Sequence, residues 1–250
     1  MEGARVPVRP VLEDVGRVNP LFALEGEPPG PGWVFVPAAG GGTDETARTV
    51  LSAEVERVRA QLAALSGGPG GTVEWRVAAS LFQQGMATRL LSPVLAAALC
   101  HGVLLDAAEF RWDPRRDGPL VLRTPQETAA TVTGGIARVA DLVEETVVLG
   151  ALAGIERALA GPGRVAPGLL RGNTASALAG AVRSLGADRP ERRPQAEALA
   201  GDLLARPSLA GTGGYTGVDA TGAGVFRRTT CCLYYRLPGG GFCGDCALRS

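Results

Sequence analysis

The placement of the thiols constrains this chain more than any other feature. Cys231, Cys232, Cys243 and Cys246 crowd into the last 20 residues in the pattern C-C-x10-C-x2-C, and Cys100 stands alone far upstream. Thiolates are the ligands of zinc and of iron–sulfur clusters. The x2 spacing lets Cys243 and Cys246 converge from one turn, and Gly244 between them lets backbone amides come close. Pro238-Gly239-Gly240-Gly241 brings the second pair back toward the first. Adjacent cysteines suit a four-thiolate zinc ribbon poorly, because ribbons use two spaced pairs. A binuclear iron–sulfur cluster is a larger object that neighbouring thiolates can serve together. Spacing alone favours that cluster, with zinc and redox or incidental cysteines as the other readings.

What the chain lacks narrows the chemistry further. All 25 basic residues are arginine, so neither a Walker A phosphate loop nor a Schiff-base lysine is possible. With His101 as the only histidine, H-E-x-x-H metalloproteases, two-histidine iron oxygenases and three-histidine zinc sites within one chain are excluded. The 25 acidic residues balance the arginines, and without a basic excess no nucleic-acid partner is expected. The longest apolar runs, such as Val147 to Ile155, fall short of a membrane span. Met1 to Arg5 runs into Pro7 and Pro10 with no apolar leader, so the expected location is the cytoplasm, where grouped cysteines bind metals more often than they form disulfides.

Hydrophobic periodicity predicts a mainly α fold with minor β. Residues 1–42 read as an irregular N-terminal segment with one short strand over Gly32 to Val36. Residues 43–210 read as a helical body, and residues 211–250 as a glycine-rich connection, flexible over 211–224, followed by the cysteine segment. Val50, Leu51, Val55, Val58, Leu62 and Leu65 recur at helical spacing, with Thr43 as expected N-cap and Ser66 to Pro69 as terminator. A second helix is expected over Val73 to Leu91. A third, short one restarts at Ser92-Pro93, read as N-cap and first-turn proline. Phe110, Trp112, Leu120 and Leu122 flank the turn cluster at 113–118 as a β-hairpin. Helices are also expected over Ala140 to Ala160, Pro167 to Leu185 and Gln195 to Ala205. The first of these is nearly apolar all round from Val147 and so is expected to be central.

The run Arg228-Thr229-Thr230-Cys231-Cys232-Leu233-Tyr234-Tyr235-Arg236, then Pro238 to Gly241 and Cys243-Gly244-Asp245-Cys246, resembles the C-terminal motif of the FhuF-like ferric-siderophore reductases. Weaker likenesses lie upstream, at Ala79-Ser80-Leu81, Arg89 to Pro93 and Arg171-Gly172-Asn173, so the specific part is the last 20 residues. The resemblance implies a 2Fe-2S cluster on Cys231, Cys232, Cys243 and Cys246, and reduction of siderophore-bound iron(III), with hydroxamate chelates favoured. No glycine cluster reads G-x-G-x-x-G between a strand and a helix, so a separate electron-donor protein is expected rather than a bound nicotinamide.

Arg89, Asn173 and Arg228 are the candidate substrate contacts. A four-thiolate 2Fe-2S cluster carries about −2, and about −3 when reduced. Arg227, Arg228, Arg236 and Arg249 would therefore favour its reduced state, unless they are simply a solvated face. Cys100 is expected in the core and His101 at a helix end. Tyr234 and Tyr235 either shield the cysteines or pack ordinarily, and Trp33 and Trp112 are expected in the core. Two rivals remain: a non-catalytic electron carrier or sensor with the same cluster, and a helical binding protein with a structural zinc site.

Overall fold

The computed structural model describes residues 4–26, 30–35, 45–66, 73–115, 120–160 and 165–249. It is mainly helical with small antiparallel sheets, as the periodicity predicts. In chain order the elements are β1 (Arg5–Pro7), α1 (Arg9–Val15), β2 (Val34–Phe35), α2 (Glu45–Leu65), α3 (Trp75–His101), β3 (Val103–Leu104), β4 (Arg111–Trp112), β5 (Leu122–Arg123) and β6 (Thr128–Thr131). They continue as α4 (Gly135–Val143), a π-helical stretch (Glu144–Leu152), α5 (Ala153–Ala160), α6 (Pro167–Asp188), α7 (Arg193–Ala205), β7 (Gly213–Val218) and β8 (Gly224–Arg228). Thr43, Val36 and the breakers at 28–29, 40–42, 67–69, 116–118 and 161–163 lie outside the described residues.

Helices α3 and α6 share the most extensive helix contact and form the axis of the molecule. Both are rich in alanine, and small side chains let two helix backbones approach closely. From Leu90 to Ala97 every residue of α3 is buried, and so is every residue of α6 from Gly172 to Ala179. This corrects the expected central helix. The 135–160 segment is one-sided: Val147, Val148, Ala151 and Leu152 are buried, while Leu149 is 58% exposed. It also corrects the expected break at Ser92-Pro93. Pro93 lies inside a continuous α3. A proline there removes one helical hydrogen bond, but Leu90, Leu91, Val94 and Leu95 on either side are at most 1% exposed. Packing on both flanks overrides the local break.

Sheet β2-β4-β5 contains the expected hairpin, with Trp112 opposite both Val34 and Leu122. Two differences come from proline and glycine. The N-terminal segment is not irregular: β1 pairs with β6, and Pro10 sits in the first turn of α1, which buries Val11, Leu12 and Val15. Proline starts a helix as readily as it stops one. The 211–228 stretch is not a flexible connection but the β7–β8 hairpin, in which Tyr215 faces Phe226 across the strands and their rings meet edge-on at 5.9 Å. Glycine count hid these alternating residues. Gly213 is needed there, because a Cβ would stand 2.4 Å from the Phe226 ring.

A polar group is buried where α3, α5 and α6 meet. The Thr174 hydroxyl donates to Glu156 Oε1 at 2.9 Å, and Gln83 Nε2 donates to the same oxygen at 3.2 Å. Burial pushes the Glu156 carboxyl up to about 7, against the opposing effects of Thr174 and Arg171. Between pH 4.5 and about 7 the unfolded chain has released this proton while the folded one still holds it. This group's contribution to stability therefore falls as pH rises through that window and is lowest above it. Glu156→Gln keeps both hydrogen bonds and removes the titration. Thermal unfolding at pH 8 should show a variant more stable than wild type by up to about 3 kcal/mol, with the gap closing toward pH 4.5. An equal gap at both pH values would rule this out.

Candidate metal centre

The cysteine segment is laid onto the helical body by a chain of buried hydrogen bonds. Arg228, at the end of β8, is 2% exposed and donates through Nη2 to Asn173 Oδ1 at 2.6 Å. Asn173 Nδ2 donates to the Ser80 carbonyl at 2.9 Å and to Ser80 Oγ at 3.0 Å. Ser80 Oγ in turn donates to the carbonyl of Cys232 at 2.8 Å. One residue each from β8, α6 and α3 thus fixes the backbone at the adjacent cysteine pair. Gly172 makes the approach possible: a Cβ there would lie 2.1 Å from Thr230 Oγ1 and 3.2 Å from Arg228 Nη2. Leu237 and Leu233 add an apolar anchor against Ala63, Val73 and Val77, and Arg236 Nε bonds Glu74 at 2.6 Å.

The backbone then turns its amides toward sulfur. Leu233 has φ of 68°, the one positive φ outside glycine among the described residues. Leucine pays roughly 1 kcal/mol or more for that conformation. It places the Leu233 N–H 3.3 Å from Cys231 Sγ. At the other pair the Leu248 N–H lies 3.3 Å from Cys246 Sγ. Gly240 lets the intervening loop fold back tightly, since a Cβ would meet the Tyr234 carbonyl oxygen at 2.6 Å. Cys232 and Cys243, one from each half of the motif, bring their sulfurs to 3.5 Å. Thiolates bound at about 2.3 Å to one tetrahedral ion stand about 3.8 Å apart, so these two have the separation of a shared ion. Among the described residues no group of three or more His, Cys, Asp or Glu side chains closes into a single-ion shell.

Electrostatics at the site fit a metal group that takes thiolate ligands. Burial raises the Cys231 thiol, and so do Cys232 and Cys246, while the Leu233 N–H and Arg228 lower it. Cys243 is raised strongly by burial, by Cys232 and by Asp245. Thiols that oppose one another's ionisation release their protons when a metal takes them as ligands. Arg228 supplies the complement. Its Nε and Nη1 are buried without a hydrogen-bond partner among the described residues, and its bonded neighbour Asn173 is neutral. A buried cation with no counter-charge is costly, and an iron–sulfur cluster with four thiolates would be the missing anion. The residues present therefore suit the group that the motif implies.

The remaining expected residues are placed as follows. Arg89 is half-buried and donates to the Pro20 carbonyl at 3.3 Å. Asn173, 0% exposed, and Arg228 bond each other inside the protein. Arg227 donates to the Cys246 carbonyl at 3.1 Å, Arg236 is held by Glu74, and Arg249 lies 5.9 Å over the Phe242 ring. Tyr234 and Tyr235 are 39% and 44% exposed, which removes ordinary core packing as their role. Trp112 is a core residue against Phe82, while Trp33 is half-buried beneath Arg123. Cys100 packs against the core with its thiol raised by burial, and His101 ends α3 with Nε2 2.9 Å from Asp14. Ser80, Gly172 and Thr230 were assigned no role from sequence. The visible sign was a serine on α3 and a glycine on α6, small residues that open space where another segment can dock.

Residues 228–248 match the family model of the FhuF 2Fe-2S C-terminal domain. No curated protein matches the chain. That model is of a 2Fe-2S-binding C-terminal domain, and the match begins at Arg228, the residue that starts the clasp onto α6 and α3.

Gly172→Ala should loosen this clasp. With a methyl group forced against Thr230, the segment should become cleavable by protease after residue 229, at a cost of about 1–3 kcal/mol. Gly201→Ala on α7, where no atom lies within 4 Å of an added Cβ, should be neutral or stabilising. Equal protection of both variants would show that the close approach at Gly172 carries no weight.

Proposed function

We propose that the protein is a ferric-siderophore reductase in which Cys231, Cys232, Cys243 and Cys246 hold a 2Fe-2S cluster. The observation that carries this reading is the match of residues 228–248 to the FhuF 2Fe-2S C-terminal domain. The geometry supports it in three ways. The motif's two halves meet at Cys232 and Cys243, two backbone N–H groups point at sulfur, and a buried guanidinium lacks an anion. A binuclear centre asks for two thiolates on each iron rather than four around one point, and the adjacent Cys231 and Cys232 suit it better than a zinc ribbon with two spaced pairs.

When bound, such a cluster stores and passes one electron at a time. Iron(III) in the chelate accepts that electron and becomes iron(II). Hard oxygen ligands such as hydroxamates hold iron(II) far less tightly, so the metal is released. The chain's own residues do the positioning. Asn173 and Ser80 fix the Cys231–Cys232 backbone, the Leu233 and Leu248 amides stabilise negative sulfur, and Arg228 offsets the added charge. A separate donor protein resupplies the electron. The exposed Tyr234, Tyr235, Phe242 and Leu248 on the cysteine segment offer it an apolar landing surface. Closely spaced free thiols suit a reducing compartment, which for this function is the cytoplasm.

Two measurements test the reading. Serine at any of the four cysteine positions should abolish or strongly perturb the visible and reduced-state EPR spectra, whereas Cys100→Ser should leave them unchanged. A native spectrum from Cys232→Ser, or a cluster lost in Cys100→Ser, would overturn the ligand set. The reduced protein, mixed anaerobically with ferric hydroxamates, should be reoxidised at a rate that saturates with chelate and differs among chelates, and iron(II) should appear in a trapping chelator. A slow rate, linear in concentration and equal for ferric citrate, would leave only nonspecific electron transfer. Arg228→Met, if it retains the cluster, should lower the reduction potential by about 60 mV, a tenfold change in a one-electron equilibrium. An unchanged potential would mean that Arg228 only positions the backbone.

A further inference from the structure

Beside the cysteines lies a groove of about 310 Å³ between α3 and α6. One wall presents Gln84, Thr88 and Ser92 at successive turns of α3, and the other presents Ser176, Gly180 and Ser184 at successive turns of α6. Gly244 and Asp245, the two residues between Cys243 and Cys246, also line it. A molecule held here is in contact with the loop that joins two of the four thiols.

One buried group is left unanswered in this groove. Ser92 is 0% exposed and its Oγ has no hydrogen-bond partner among the described residues. Serine and threonine inside helices usually bond the carbonyl four residues back, as Thr88 does here to Gln84. Ser92 does not, although leaving a buried hydroxyl unmade costs about 1–3 kcal/mol. A ligand atom accepting from that hydroxyl resolves the deficit. Arg183 also lines the groove and makes one bond, through Nη2 to the Gly224 carbonyl at 3.2 Å.

We propose that this groove is where the iron(III) chelate docks, one face or arm seated between α3 and α6 with its oxygens accepting from Ser92 and Arg183. The inference rests on the reductase reading and adds the location of its substrate. The lining also sets the charge that the site accepts. Among the described residues Arg183 and Asp245 are the charged groups that line it, and they have opposite signs. A neutral or singly charged chelate with amide or hydroxamate oxygens suits this lining, and a triply anionic one does not. The groove is open on one side and small beside a whole chelate, so it reads an arm and tolerates differences in the rest.

Gly180 gives a clean test. No atom lies within 4 Å of a Cβ built there, so Gly180→Leu at this lining position starts into open space and takes up groove volume, and it also replaces a helical glycine. The probe is a gallium(III) trihydroxamate, which matches the iron(III) complex in charge and shape but takes no electron. Binding is measured by calorimetry on the cluster-loaded, oxidised protein. Wild type should bind it, and Gly180→Leu should weaken binding about tenfold or more with cluster spectrum and thermal stability unchanged. Ser92→Ala should weaken it about three- to tenfold with no loss of stability, since its hydroxyl has no partner to lose. A gallium(III) tris-catecholate should bind at least about tenfold more weakly than the trihydroxamate. Undiminished binding to Gly180→Leu, or equal binding of both gallium complexes, overturns the groove assignment and leaves the reductase standing if ferric chelates are still reduced with saturation. Wild type that neither binds gallium chelates nor reduces ferric ones overturns both.

Discussion

A buried arginine with no ion-pair partner among the described residues is the constraint on which this architecture turns. Arg228 is enclosed by the helical body and answered on one side by the neutral Asn173 amide. Through Asn173 and Ser80 its position is passed to the carbonyl of Cys232, so charge and backbone are set by the same three side chains. Each member is buried and has few alternatives. A polar side chain in a low-dielectric interior that loses its partner pays the full cost of desolvation. The chain of bonds is therefore directional and specific where apolar contact alone would allow the segment to slide. The second anchor, Leu237 on Ala63, Val73 and Val77, supplies area without direction.

The fold was legible where periodicity was strong. The stripe from Val50 to Leu65 and the run from Pro167 to Leu185 became α2 and α6 within a few residues. It was misread where proline and glycine were treated as punctuation. Pro10 starts a helix, Pro93 is carried through one by its flanking leucines, and the glycines after Gly211 share a packed hairpin with Tyr215, Val225 and Phe226. In each case long-range packing decided what local propensity left open. Apolarity likewise did not identify the central helix. Alanine, glycine and serine mark α3 and α6 as the closely packed pair, whereas Leu149 of the more apolar segment faces solvent.

At the site, the four thiols were legible because metal-ligand spacing is a local property of the chain. Their supports were not, since Ser80, Asn173 and Arg228 come from three elements 55 to 148 residues apart, and only the fold makes them neighbours. Asn173, expected as a substrate contact, is an asparagine inside a helix. The cause is inward, toward Ser80 and Arg228. Arg89 lies outside the clasp and bonds Pro20, next to the Leu21 and Phe22 that wall the groove. Ser92, read as a cap from its place before proline, has a buried hydroxyl that caps nothing.

These separate features lie on one seam. On α3, Ser80, Gln84, Thr88 and Ser92 recur every fourth residue, and on α6, Asn173, Ser176, Gly180 and Ser184 recur at three, four and four. Such spacings keep each set on one face of its helix. The two faces meet in order. Asn173 bonds Ser80, and one turn further Gln84 Nε2 donates to Ser176 Oγ at 3.0 Å. Beyond that pair the opposed residues are Thr88 and Ser92 against Gly180 and Ser184, too small to fill the space between the helices, and the seam opens into the groove. A polar stripe in an alanine-rich interface would be a poor way to gain stability, because every buried hydroxyl must find a partner. It is a good way to tie one end of an interface to a peptide segment while leaving the other end able to receive oxygen atoms. The same helix pair therefore fixes both the distance from cysteine to groove and the chemistry at each end.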